Sequence, residues 1–431
     1  MRKPDIRSIA IFAVIIMTVI ALTGCGNFLD DYVELVTEHQ AAPYIKPPTE
    51  QIVVSDYDEF FLMLLELITQ HETNLQLQYY PHEGEDVQAE VQRAANEVMN
   101  EHPIGAYAVA NITAEATRVV SYFEVDIEIE FKRTKEQLDS IINVSTLRYF
   151  MTQLLNVMSE HREEAVIHTN LQMTEDEIAQ FVIETYYQNP RRIVMLPFVA
   201  VEIFPEEGIN RIYEIQFGYT TESPIMLQRY SETLALYIRQ DAALAVGDTD
   251  AEILLSLVRN LMESTAFDEG AARRIPEHGP QNFAATAFGA LVHRSAVGEG
   301  FAMAFKALCD ELGFVNHVVL GLYEDIVHAW NIVSIDGYYY HIDVAMCVSN
   351  GIETAFLKTD EDFEEKYTWD RDNTVRCEGV LTLIDIIGFE EPDDPDDPED
   401  PENTDDPENT EEPENTENQN GESNDNEEED Q

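Results

Sequence analysis

The sequence predicts an α+β protein, and three observations carry that reading. Between Val53 and Met226, helical stretches alternate with strand-like runs, and the whole pattern recurs once at an offset near 90. From Ala251 on, helical segments again precede a pair of β-type runs joined by Asp336-Gly337. Beyond Gly388 neither period survives, and proline and acidic residues take over.

The chain opens with Arg2, Lys3 and Arg7, followed by an apolar run from Ile9 to Leu22. At about 14 residues that run is short of the roughly 20 a spanning helix needs, so residues 1–24 read as a cleaved export leader. Its end, Leu22-Thr23-Gly24-Cys25, resembles the bacterial lipobox. The resemblance implies a lipoprotein: Cys25 becomes the mature N-terminus and carries palmitate-type acyl chains that hold the protein on the outer face of the cell membrane. An ordinary secretory leader with an incidental cysteine is the alternative. Beyond Cys25 the chain has Cys309, Cys347 and Cys377, so at most one disulfide can form. Without a Cys-x-x-Cys or His-x-x-x-His spacing, neither a metal nor any other cofactor is expected.

The 431 residues include 84 acidic and 25 basic side chains, a formal charge of −59. That balance excludes a nucleic-acid binder, which depends on Lys and Arg to displace counterions. Of the acids, 22 lie between Glu390 and Gln431, where no Lys or Arg occurs and Pro-Glu-Asn-Thr returns at 401–404, 407–410 and 413–416. Residues 389–431 are therefore expected to be a solvated, disordered spacer. Weak binding of divalent cations or of a basic partner is the other reading of this tail.

The duplication covers 53–135 and 145–226. Leu64-Leu65-Glu66-Leu67-Ile68-Thr69-Gln70-His71 returns as Leu154-Leu155-Asn156-Val157-Met158-Ser159-Glu160-His161. A second helix follows in each copy and is expected to end at a proline, Pro103 or Pro190. Alternating runs from Tyr122 to Phe131 and from Arg211 to Tyr219 then read as half-buried strands. The order helix, strand, helix, strand pair gives two small α+β modules that gather no catalytic residues and read as spacer or recognition units. His71 and His161 are expected to be helix-end residues rather than ligands.

The region 248–388 carries the chemistry. Helical stretches are expected over Arg229 to Leu244 and Ala251 to Phe267. A further helix begins near Gly298, with an apolar stripe at Phe301, Phe305, Leu308 and Leu312 and a stop at Gly313. The two-residue Asp-Gly loop sets Ile335 opposite Tyr338, hence Trp330 opposite Asp343 and His328 opposite Ala345. His328 and Asp343 become diagonal neighbours, close enough for the carboxylate to orient the imidazole. A satisfied half-buried histidine beside a hairpin aspartate remains the structural alternative.

With His328-Ala329-Trp330-Asn331-Ile332-Val333, Tyr340-His341-Ile342-Asp343-Val344 and the stretch from Phe356 to Cys377, this region resembles the transglutaminase-like superfamily of bacterial surface proteins. The resemblance implies a papain-type core in which a helix-start cysteine is the nucleophile, with His328 as base and Asp343 as its orienter. The helix-start motif aligns with Ala296-Val297-Gly298-Glu299-Gly300-Phe301-Ala302, which places Gly298 at the nucleophile's position. A thiol there would be activated by the helix dipole and the histidine, whereas glycine has nothing with which to attack. Cys309 lies 11 residues along the same helix, and Cys347 is expected at a strand end. Ser295, just before the helix, is the better-placed substitute. The expectation is a lipid-anchored pseudoenzyme that binds peptide or cell-wall material; the alternative is an acyl-transfer enzyme with a substitute nucleophile.

Overall fold

Each repeat begins where an acid or a threonine can close a helix. Asp56 accepts the Glu59 amide at the start of α1 (Tyr57–Gln70), whose core face is Phe60, Leu64, Leu67 and Ile68. Thr146 does the same for α4 (Leu147–Ser159), with Phe150, Leu154, Val157 and Met158 inside. The structure is a computed structural model that describes residues 52–388 apart from 83, 85, 220–221 and 279–281, with the side chains of 274–278 also outside the description. The expected leader at 1–24, Cys25 and the acidic stretch 389–431 lie outside the described residues.

The first repeat runs β1 (Val53–Val54), α1, β2 (Asn74–Tyr79), α2 (Val87–Asn100), α3 (Pro103–Ala108), β3 (Val109–Arg118) and β4 (Phe123–Phe131). Its sheet has the order β1-β2-β4-β3, with β1 parallel to β2 and the other pairs antiparallel. The second repeat has β5 (Ile142–Val144), α4, β6 (Glu164–Thr169), α5 (Glu175–Gln188), β7 (Phe198–Phe204) and β8 (Arg211–Gly218). Its sheet order, β5-β6-β8-β7, and its pairing senses are the same. Two details differ from the sequence reading. Each sheet gains a leading strand of two or three residues, too short for alternation to show. Pro103 opens a helix at its first position, where no amide is needed, rather than only closing the one before.

The repeats stack. α3 of the first lies on β7 and β8 of the second, so Tyr107, Val166 and Ile212 share one hydrophobic cluster. The second repeat's core is in turn continuous with that of the C-terminal region.

That region starts with α6 (Pro224–Ala242) and α7 (Asp250–Ser264), the first beginning earlier than expected because Pro224 suits an opening helical turn. β9 (Ala266–Phe267) pairs in parallel with β10 (Ser295–Ala296), and α8 (Gly298–Leu312) follows directly. α8 packs on a sheet of order β13-β12-β11-β14, made of β11 (Asn316–Tyr323), β12 (Ile326–Ile335), β13 (Tyr338–Ile342) and β14 (Tyr367–Thr368). Phe301, Phe305 and Leu308 are buried, but Leu312, in the last turn, is 40% exposed and leaves the expected stripe.

The hairpin turn has Asp336 at φ 52° and Gly337 at φ 84°, both left-handed as a two-residue loop of this kind requires, and Ile335 pairs with Tyr338. Pairing stops at Asn331 and Ile342. The expected pairs Trp330–Asp343 and His328–Ala345 do not form, because Asp343 leaves the strand to cap α9 (Val344–Asn350) by accepting the Met346 amide at 3.1 Å. Cys347 is accordingly inside a helix and not at a strand end.

Candidate functional site

The start of α8 approaches the turn at Phe283–Ala285 closely. The Val297 amide donates to the Ala284 carbonyl at 2.9 Å, and a Cβ on Gly300 would sit 2.2 Å from that same oxygen. Only glycine fits at 300, and this contact fixes where Gly298 lies.

His328 projects from β12 onto that point. Its Nε2 donates to Asp343 Oδ2 at 2.6 Å, the Tyr367 hydroxyl donates to the same oxygen at 3.0 Å, and the Met346 amide holds Oδ1. Three donors thus immobilise a carboxylate that is 1% exposed. Because Nε2 carries the proton toward Asp343, the neutral ring presents the Nδ1 lone pair to Gly298. A Cβ built at 298 would lie 2.8 Å from Nδ1 and 2.7 Å from Cε1. The imidazole therefore fills the space a side chain at 298 would need. For a cysteine there the ring would have to retreat by about 0.7 Å to reach ordinary contact near 3.4 Å.

Burial opposes a charge on His328, but attraction to Asp343, the hydrogen bond to it and the field of Glu299 outweigh that and hold the imidazole above its usual value. Glu299, the residue after Gly298, is pushed up by burial, against the opposing pull of His328 and a hydrogen bond from Tyr187. Tyr187 belongs to α5, so the second repeat contacts the residue next to Gly298. Sequence reasoning passed over Glu299 and Tyr367 as functional groups. Glu299 stands beside Gly298 and Tyr367 between Phe356 and Cys377, both within stretches that carry the resemblance, and that placement was the signal for them.

None of the alternative nucleophiles lies against His328. Ser295 donates to Asp268 Oδ2 at 3.1 Å. Cys309 is fully buried, which pushes its thiol up to about 12, and burial raises Cys347 and Cys377 still further. These three cysteines are all free. His71 and His161 lie in the repeats: the His71 ring bonds to the Arg133 carbonyl at 3.0 Å, and burial lowers His161 to about 4.

A second polar cluster lies behind Trp330. His341, Asp360 and Cys377 bring their ligand atoms within 4.8 Å of one another, a grouping that could hold a metal. The Trp330 indole donates to His341 Nδ1 at 3.0 Å, so the ring's own proton sits on Nε2, the atom facing Asp360 at 2.9 Å. Metal ligation through Nε2 would turn Nδ1 into a second donor against the indole N–H. The cluster fits a hydrogen-bonded brace for the sheet better than a metal centre. Neighbouring Phe363 stacks at 3.9 Å on Tyr367, which in turn holds Asp343.

No family model matches the chain, and no curated protein matches it. Among solved structures it is similar to a crystal structure of a TGase, at 13% identity and a TM-score of 0.25, over 51% of this chain and 60% of that one. It is also similar to a putative cysteine protease from Cytophaga hutchinsonii, at 14% identity and a TM-score of 0.22, over 37% of this chain and 66% of that one. The chain thus spans less than two thirds of the length of either. What the described residues make is an α+β protein in which a histidine, oriented by a buried carboxylate, faces a glycine at a helix start.

Proposed function

We propose that this chain is a lipid-anchored cell-surface protein whose transglutaminase-like region binds peptide or cell-wall material without acyl-transfer chemistry. The observation that carries the reading is the contact at Gly298: the base and its orienting carboxylate persist, while the imidazole occupies the place of the side chain that should attack. Nucleophilic catalysis needs a group that bonds to the carbonyl carbon and a base to take its proton. Here only the second is present. The His328 ring, with its Nδ1 turned to Gly298, and the half-buried Glu299 instead lie side by side at the site, polar groups suited to the amide and carboxylate groups of a peptide. Attachment through Cys25 places this region outside the cell, and the repeats between carry it away from the membrane.

The test is amide hydrolysis and amine incorporation by the unaltered chain, His328→Ala and Gly298→Cys, on peptide substrates. The reading expects no turnover by the first two. Turnover by the unaltered chain that disappears in His328→Ala would overturn it and favour an enzyme with a substitute nucleophile. Membrane fractionation of Cys25→Ser tests the anchor separately: loss from the membrane fraction is expected.

A further inference from the structure

Among the described residues the first repeat ends the stack, and its exposed sheet face corresponds to the face that is occupied in the second repeat. In β8 four consecutive residues from Ile212 to Ile215 are buried, because helices cover one side and the first repeat covers the other. In β4 burial alternates, with Val125, Ile127 and Ile129 inside and Asp126, Glu128 and Glu130 outside.

Register makes the comparison residue by residue. In the second sheet Glu214 of β8 lies opposite Glu202 of β7 and Val166 of β6. In the first, Asp126 of β4 lies opposite Glu115 of β3 and Gln76 of β2. The second sheet's acids have a ligand. The Arg133 guanidinium donates to Glu214 at 2.5 Å and lies 3.9 Å from Glu202, with the Tyr107 and Phe204 rings 5.2 and 5.9 Å from its carbon. On the first sheet the matching acids face solvent, and Gln76 donates to Asp126 at 2.8 Å and to Glu124 at 3.1 Å. Glu124, Glu128 and Glu130 extend the column along β4. Among the described residues no Lys or Arg comes within 4.0 Å of any of these five carboxylates.

We propose that this outer face of the first sheet docks a partner protein that presents an arginine beside an aromatic side chain, bridging Asp126 and Glu115 as Arg133 bridges Glu214 and Glu202. A planar guanidinium can reach carboxylates on two adjacent strands at once, which an ammonium cannot do as well. A second copy of this chain cannot supply the group through the same elements, because Tyr107 and Arg133 are already engaged within each copy. The duplicated module is thus an adaptor whose acidic face takes the next arginine-bearing surface in line. Failure of this docking would leave the reading of the Gly298 site untouched.

The test is fluorescence anisotropy on the full chain at physiological salt, with a labelled Tyr-Arg-Tyr-Arg amide and its Tyr-Lys-Tyr-Lys counterpart as probes. Two double variants are compared: Glu115→Gln with Asp126→Asn on the proposed face, and Glu206→Gln with Glu207→Gln as an exposed acidic pair elsewhere. Both remove the same charge and keep the acidic tail. The arginine probe should bind more tightly than the lysine probe and lose about tenfold in the first variant, as expected for two charge-assisted bonds, with less than about a twofold change in the second. Equal losses in both variants, or equal affinity for the two probes, would overturn the proposal and reduce the effect to general attraction by an acidic protein.

Discussion

Replacing Arg133 by methionine tests the junction between the two repeats. Glu214 is 2% exposed, and Arg133 is the cation in contact with it; the Arg133 side chain is itself 20% exposed. Removing one partner of a buried ion pair costs about 3–5 kcal/mol, because the remaining charge keeps its desolvation penalty without its counter-ion. Water can enter along the exposed fifth of the arginine, so the lower end, about 3 kcal/mol, applies, with about 0.5 kcal/mol more for the lost contact with the Tyr107 ring. Glu164 sharpens the effect: burial and its proximity to Glu214 already raise its carboxyl, and Arg133 opposes that rise. Adding Glu214→Gln to Arg133→Met removes the stranded charge and should recover at least half of the loss. The assay is urea unfolding followed by far-ultraviolet circular dichroism, read as a double-mutant cycle. A cost below about 1 kcal/mol for the single variant, or a double variant no more stable than the single one, would refute the idea that this pair holds the stack together.

Other outcomes follow from the site. His328 is held above the ordinary imidazole value of 6.5, so its contribution to stability is fully present below that pH and is lost as pH rises through the folded-state value. The stability of the unaltered chain relative to His328→Gln should therefore shrink with rising pH in urea titrations, and growth of the difference would contradict the ion pair. Against the lowering by burial, Asp343→Asn removes the strongest of the causes that raise His328, and Glu299→Gln a weaker one; nuclear magnetic resonance of the imidazole should show a larger and a smaller fall in pKa, respectively. Gly300→Ala places a methyl 2.2 Å from the Ala284 carbonyl oxygen and should cost about 3 kcal/mol in thermal or urea unfolding, whereas an unchanged midpoint would mean that α8 can shift freely.

Much of this architecture is written in local pattern. The helices of the repeats show because their core residues recur at helical spacing over three or more turns, and β4 shows because Val125, Ile127 and Ile129 alternate with acids. The pairing of Ile335 with Tyr338 was readable because Asp336-Gly337 admits few turn geometries. His328 and Asp343 do meet through their side chains, as the hairpin implies, but not by strand register. A seven-residue helix beginning at Val344 is too short for periodicity to reveal, and it is this helix that takes Asp343 out of the strand. What the sequence could not show is long-range. Ile212 and Glu214 look like the outward face of a half-buried strand until the first repeat is laid over them. Nor does any spacing announce that the His328 ring has taken the volume above Gly298, which depends on where α8 is pinned by Gly300.

The most direct measurement of the central claim is the fate of an electrophilic probe on the native chain. A peptide vinyl sulfone, offered to the folded protein and followed by mass mapping of Cys309, Cys347, Cys377 and Ser295, should leave all four unmodified, since the thiols are buried and unactivated and the hydroxyl is bonded away from His328. A stoichiometric adduct on any of them that forms in the folded chain and is abolished by His328→Ala would show that the imidazole activates a nucleophile, and would contradict the account.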